Sequence, residues 1–137
     1  MYVSHDGENI IYSWDINSID EVKKVIAEGY DMIWWRVDLK GKLGDLKDLS
    51  FMSWIKKINY PLGDGLDISD NQLESLAWCP EFISWKVIFS NNPIKSLQGF
   101  PKEVYGDVYY SDSIIPYYDL ENFFHNLLWI CKIHWVI

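Results

Sequence analysis

Laid over itself at an offset of 21 residues, the chain falls into register through its middle. Leu66, Val87 and Val108 coincide, as do Ile68, Phe89 and Tyr110. Ser69, Ser90 and Ser111 share a column, followed by Leu73, Ile94 and Ile115; Leu76 falls on Leu97 and Pro80 on Pro101. Ungapped columns of matching character confine the chain to architectures made by stacking one unit. Within a unit, Leu66-x-Ile68 alternates and reads as a short strand with both side chains on one face. Asn71 and its counterpart Asn92, with Ser113 next, open a turn, where such side chains bond backbone groups that the strand leaves unpaired. Leu73 and Leu76 return inward, and Pro80 or Pro101 ends the segment. One unit cannot bury its own apolar edge, whereas stacked units close it as a parallel ladder over a continuous core. Residues 66–69, 87–90 and 108–111 are therefore predicted to be adjacent parallel strands in that order.

The stretches Leu66-x-Ile68-x-x-Asn71-x-Leu73 and Val87-x-Phe89-x-x-Asn92-x-Ile94 resemble the leucine-rich repeat family. The short unit and its Pro80-Glu81 and Pro101-Lys102-Glu103-Val104 tails look like short repeats of bacterial and phage proteins. The resemblance covers about residues 62 to 118. It implies an α/β solenoid with a short parallel sheet, in a family that mainly binds other proteins.

The flanks extend the pattern. Ile10, Tyr12, Trp14 and Ile16 alternate and read as one strand. Ser18-Ile19-Asp20-Glu21 is a capping box for a helix through Val22, Val25 and Ile26, which Gly29 stops. Ile33 to Leu39 reads as a second strand, with Ile33, Trp35, Val37 and Leu39 inward. Val37-x-Leu39 fits the columns of Leu66-x-Ile68 one longer unit of 29 residues earlier. Residues 47–58, with Leu49, Met52, Trp54, Ile55 and Ile58 apolar, are expected to be the helix of that unit. After Pro116, Leu120, Phe124, Leu127 and Cys131 lie at helical spacing, so a helix from about Tyr118 to Leu128 is expected to cap the open end. Ile130 to Ile137 alternates and fits either a helix or a strand. The expectation is one domain: an N-terminal strand-helix-strand and longer repeat over 1–61, repeats over 62–117, and a C-terminal cap over 118–137.

Composition limits the chemistry. Twenty Asp plus Glu face twelve Lys plus Arg, a net charge of −8 that repels phosphate backbones and favours basic proteins. Cys79 and Cys131 are too few for a disulfide scaffold and read as reduced thiols. Met1 to Asp6 lacks a signal-peptide pattern, and the apolar run from Phe123 to Ile137 is too short and polar to span a bilayer. A cytoplasmic protein without membrane or nucleic-acid partners is expected. His125, Cys131 and His134 fit no common zinc spacing. Asp64, Asp67 and Asp70 lack the terminal Glu of a calcium loop. Neither a phosphate-binding glycine loop nor a G-x-S-x-G elbow occurs, so no cofactor, metal or catalytic residue is expected.

The informative residues are the strand side chains that point away from the core. Trp34, Arg36 and Asp38 lie between the inward positions of the first unit. Asp67, Ile88 and Tyr109 follow in the matching column, then Ser69, Ser90 and Ser111, then Asp70, Asn91 and Asp112. In a solenoid these columns make one concave strip. The expected partner-binding set is Trp34, Arg36, Asp38, Asp67, Asp70, Ile88, Tyr109 and Asp112. Size, charge and repeat class suggest, by analogy, a non-catalytic immunity- or antitoxin-type inhibitor of a basic bacterial toxin, monomeric when free. The alternatives are a phage-encoded inhibitor of a host defence protein and an enzyme with a scattered site.

Overall fold

The computed structural model describes residues 3–6, 9–12, 15–59, 64–84, 86–95, 98–105, 108–110 and 133–135. Before residue 15, after residue 109 and at Asp64, only the backbone is described. The fold is α/β, with one α-helix and two mainly parallel sheets among the described residues.

The first sheet runs in the order β1 (Val3–Asp6), β2 (Asn9–Tyr12), β3 (Met32–Ile33), β5 (Lys57–Ile58), β7 (Phe82–Ile83) and β9 (Glu103–Val104). β1 and β2 pair antiparallel, and every later pair is parallel. The second sheet runs β4 (Val37–Asp38), β6 (Asp64–Asp67), β8 (Lys86–Ile88), β10 (Val108–Tyr110) and β11 (Ile133–Trp135), all parallel, and Ile16 adds a bridge beside Val37. From β3 to β10 the chain visits the two sheets alternately. The predicted neighbours β6, β8 and β10 are parallel and in the expected register: Leu66 opposes Val87, and Val87 opposes Val108.

The expected single sheet is thus two. Ile10 to Ile16 and Ile33 to Leu39 each pass from one sheet to the other, so neither is one strand. Ile33, Val37 and Leu39 are all buried, but Ile33 pairs in the first sheet and Val37 in the second. Alternation of apolar side chains survives a bend whose two arms bury toward the same core, so periodicity alone did not reveal the corner. Residues 47–58 are not a helix either: they hold a single 3-10 turn, Ser50–Met52, followed by β5. Leu49, Met52, Ile55 and Ile58 are buried, whereas Trp54 is exposed. Most of the expected C-terminal helix region, 118–128 included, lies outside the described residues. The last alternating run contains the strand β11.

Helix α1 (Ile19–Ala27) forms as the capping box requires. The Ser18 hydroxyl accepts a bond from the Glu21 amide at 3.2 Å, and the Glu21 carboxylate accepts one from Asn17 N–H at 3.3 Å. At the other end Gly29 takes φ +91, and the amides of Gly29 and Tyr30 bond back to Ile26 and Val25. Val22 and Val25 are fully buried in the same core as Ile33, Ile58, Leu66 and Phe89.

Two buried asparagines bind successive units together. The Asn71 amide nitrogen donates to the carbonyls of Leu39, Ile68 and Ser69, and its Oδ1 accepts from Leu43 N–H at 3.0 Å. Asn92 repeats this with Ile68, Phe89 and Ser90 and with Leu73 N–H at 3.1 Å. A third ladder runs outside the sheets, where Glu74 N–H bonds Lys47 O and Lys95 N–H bonds Glu74 O, each at 2.9 Å. The Glu74 carboxylate meets the ammonium groups of both Lys95 and Lys47.

Its hydrogen bond and charge attraction to Lys95, aided by Lys47, hold the Glu74 carboxyl below its ordinary value of 4.5. The folded pKa is the lower one, so the contribution is present above about pH 4.5 and is lost as pH falls through the folded pKa. Glu74→Gln should therefore flatten the acid limb of a melting-temperature profile against pH and have its largest effect near neutrality. A parallel acid limb in both proteins would exclude the ion pairs as a stabilising contact.

Candidate functional site

Strand alternation creates a second face on the second sheet. Val37, Leu39, Leu66, Ile68, Val87, Phe89 and Val108 point into the core. The residues between them, Asp38, Asp67, Ile88 and Tyr109, are half-buried on the outer side. Backbone register sets them side by side: Asp38 opposes Asp67, Asp67 opposes Ile88, and Ile88 opposes Tyr109. Four of the predicted site residues thus form one row across four strands. The next strand brings the backbone of His134 beside Tyr109.

Repeat units differ in how they use this row. In the first two, the outward aspartate folds back onto its own chain. Asp38 Oδ1 accepts from Lys40 N–H at 3.2 Å, and Asp67 Oδ1 accepts from Ser69 N–H at 3.0 Å and Ser69 Oγ–H at 2.5 Å. These are local side-chain caps at the strand end. In the third unit isoleucine stands at that position. Ser90 is as buried as Ser69, but its Oγ has no hydrogen-bond partner among the described residues. A buried hydroxyl without a partner costs stability. The unit carries that cost and gains a half-buried aliphatic side chain on an outer face. Tyr109 follows, its ring covered by Lys86 Nζ at 5.5 Å from the centroid.

The other predicted residues lie elsewhere or serve other bonds. Trp34 sits in the corner between β3 and β4, not in the row. Arg36 is held at the sheet edge by Asp15 at 3.1 Å. Asp70 lies past the strand end at φ +57, bonded to Asn91 at 2.9 Å and paired with Lys40 at 3.7 Å. Asp112 is outside the described residues. The strip is also less acidic than its carboxylates suggest. Asp15, Asp38, Asp67 and Asp70 stand among Arg36, Lys40 and Lys86, which leaves one net negative charge.

Sequence reasoning missed the outer face of the first sheet. There Lys57, Phe82 and Glu103 share a row, Lys57 Nζ lies 5.6 Å from the Phe82 ring centroid, and the Phe82 and Tyr105 rings meet tilted by 48° with centroids 5.3 Å apart. Beside it is an open groove of about 290 Å³ lined in part by Lys56, Trp78, Cys79, Phe100 and Lys102. The available signal was one further matching column, Ile83 and Val104, each three residues behind Pro80 and Pro101. Trp78 is exposed and takes φ +72, where Gly99 stands one unit later at φ +88. At Gly99 a Cβ would lie 2.5 Å from Ala77 Cα, so a side chain there needs a backbone shift.

Burial pushes the Cys79 thiol far up, which holds it protonated and weakly nucleophilic. Among the described residues no three His, Cys, Asp or Glu side chains are placed to hold a metal ion, and no helix is long and apolar enough to cross a membrane. No family model, curated protein or solved structure matches the chain.

Proposed function

We propose that this chain is a short leucine-rich-repeat-like solenoid that binds a protein partner on the outer face of its second sheet and catalyses nothing. Alternating visits to two parallel ladders, and the asparagines between units, support the architecture. One observation carries the binding role. The position that caps the strand end in earlier units is given over to Ile88, next to Tyr109, although Ser90 loses its acceptor. A half-buried apolar side chain kept on an outer face at a cost to stability supports a contact role there. The net charge of −8 favours a basic partner, and the best fit is an immunity- or antitoxin-type inhibitor acting in the cytoplasm by occluding its target.

Ile88→Asp separates folding from binding. It returns the capping carboxylate to the third unit and gives Ser90 an acceptor, a gain of about 1 kcal/mol against the lost apolar contact. Its melting temperature is expected within a few degrees of the parent or above it. Binding is expected to fail, and Tyr109→Ala should raise the dissociation rate as loss of an anchor worth about 2 kcal/mol or more does. Parent and variants are immobilised in parallel, proteins retained from the source-cell lysate are compared by mass spectrometry, and each candidate is then purified and titrated. A purified partner that binds folded Ile88→Asp as tightly as the parent removes this face from the interface.

A further inference from the structure

Resting on that protein-binding role, we infer that the partner segment seated on the row is an α-helix lying across the strands, basic at one end and apolar at the other. Parallel strands are spaced about 4.8 Å apart, so the four side chains of the row span about 14 Å. A helix advances about 5.4 Å per turn, so side chains on successive turns reach neighbouring row positions with little drift. An extended segment repeats its same-face side chains every 6.6 Å or so and falls out of step by the third strand.

Chemistry along the row gives the helix a polarity. Asp38 and Asp67 each commit Oδ1 to their own chain, and among the described residues neither Oδ2 takes a hydrogen bond. Two half-buried carboxylates on β4 and β6 thus each keep an oxygen for a cationic side chain. Ile88 on β8 offers an aliphatic side chain and Tyr109 on β10 an aromatic ring over which Lys86 Nζ lies 5.5 Å from the centroid, beside the Ser90 hydroxyl, which has no hydrogen-bond partner among the described residues. A matching helix carries arginine or lysine on two successive turns and large apolar residues on the next two. Its positive N-terminal end is favoured over the carboxylates, so the basic turns come first in the sequence.

The test uses the full chain and a synthetic stapled helical peptide. Arginines occupy its first two turns and leucine and tryptophan the next two, on one face. In two-dimensional NMR the peptide is expected to shift amides of β4, β6, β8 and β10, with the arginine end mapping to β4 and β6. Asp38→Asn and Asp67→Asn together keep the local caps, because an amide oxygen still accepts the same bonds. That variant should bind about tenfold more weakly and lose most of its salt dependence. A peptide of reversed order, or one whose helix is broken by a central proline, should bind at least tenfold more weakly than the first. Equal binding of the proline peptide, equal binding of the reversed peptide, or shifts confined to other strands each overturn the helix inference. Capture of a natural partner that depends on Ile88, combined with failure of the stapled peptide, refutes the helix alone and leaves the binding face standing. Loss of neither on Ile88→Asp refutes both.

Discussion

Replacing Asn92 with alanine is expected to be among the most damaging single changes in this protein, lowering the unfolding free energy by about 2–6 kcal/mol. The side chain is 1% exposed and serves two units at once. Its two N–H groups are shared among the carbonyls of Ile68, Phe89 and Ser90 at 2.9, 3.1 and 3.2 Å, and its oxygen accepts from Leu73 N–H at 3.1 Å. Alanine removes the bond from the buried Leu73 amide and the bond to the Phe89 carbonyl, at about 1–3 kcal/mol each, whereas the Ile68 and Ser90 carbonyls keep Asn71 Nδ2 and Asp70 N–H. Thermal or denaturant unfolding measures the loss directly, with exposed Gln72→Ala as the control for a nearby change of no consequence. Asn92→Asp sharpens the test. A carboxylate facing the carbonyl oxygens is disfavoured until protonated, so its folded pKa lies above the unfolded one. That variant should be more stable, relative to the parent, below about pH 4 than at neutral pH. A melting midpoint for Asn92→Ala within a degree of the parent would exclude the asparagine ladder as a structural element.

Phe89→Ala should cost about 3–5 kcal/mol, the range for removing a buried ring and leaving its cavity. Phe89 is fully buried and meets Phe100 edge to face, with centroids 6.3 Å apart and planes at 72°. The ring belongs to the same core as Ile68, Val87 and Val108. Phe89→Leu keeps most of the apolar volume and should cost clearly less. Equal losses for the two variants, measured by chemical denaturation, would show that the aromatic pair and the cavity contribute little and that some other strain dominates.

Several features of this fold were legible in the residues. The 21-residue offset predicted which strands are neighbours, their direction and their register, because side chains that share a core column must stack on one another. Buried Asn71 and Asn92 were legible as backbone binders because a polar group inside a repeat needs partners. Ser18, Glu21 and Gly29 marked the ends of α1 through bonds made within a few residues. The outward row Asp38, Asp67, Ile88 and Tyr109 followed from strand parity alone.

Other features needed the tertiary structure. The bend that divides Ile33 from Val37 lies in no local pattern, since both residues bury toward one core and only their pairing partners differ. The first sheet escaped notice because each of its later strands is two residues long, too short to display a period. Leu49, Met52, Ile55 and Ile58 suggested a helix, but pairing of Lys57 and Ile58 with β3 and β7 overrode that local spacing. The sequence by itself also placed Trp34 and Arg36 on the binding strip. The folded chain instead puts the first in a corner between sheets and ties the second to Asp15. The character of the row was likewise decided in three dimensions. Only there do Arg36, Lys40 and Lys86 come to stand among the aspartates, whereas the loss of the Ser90 acceptor follows from isoleucine at position 88 where the previous unit has Asp67. Charge balance depends on distances between units, and a repeat in sequence specifies the units' order but not what each charged side chain finds across the gap.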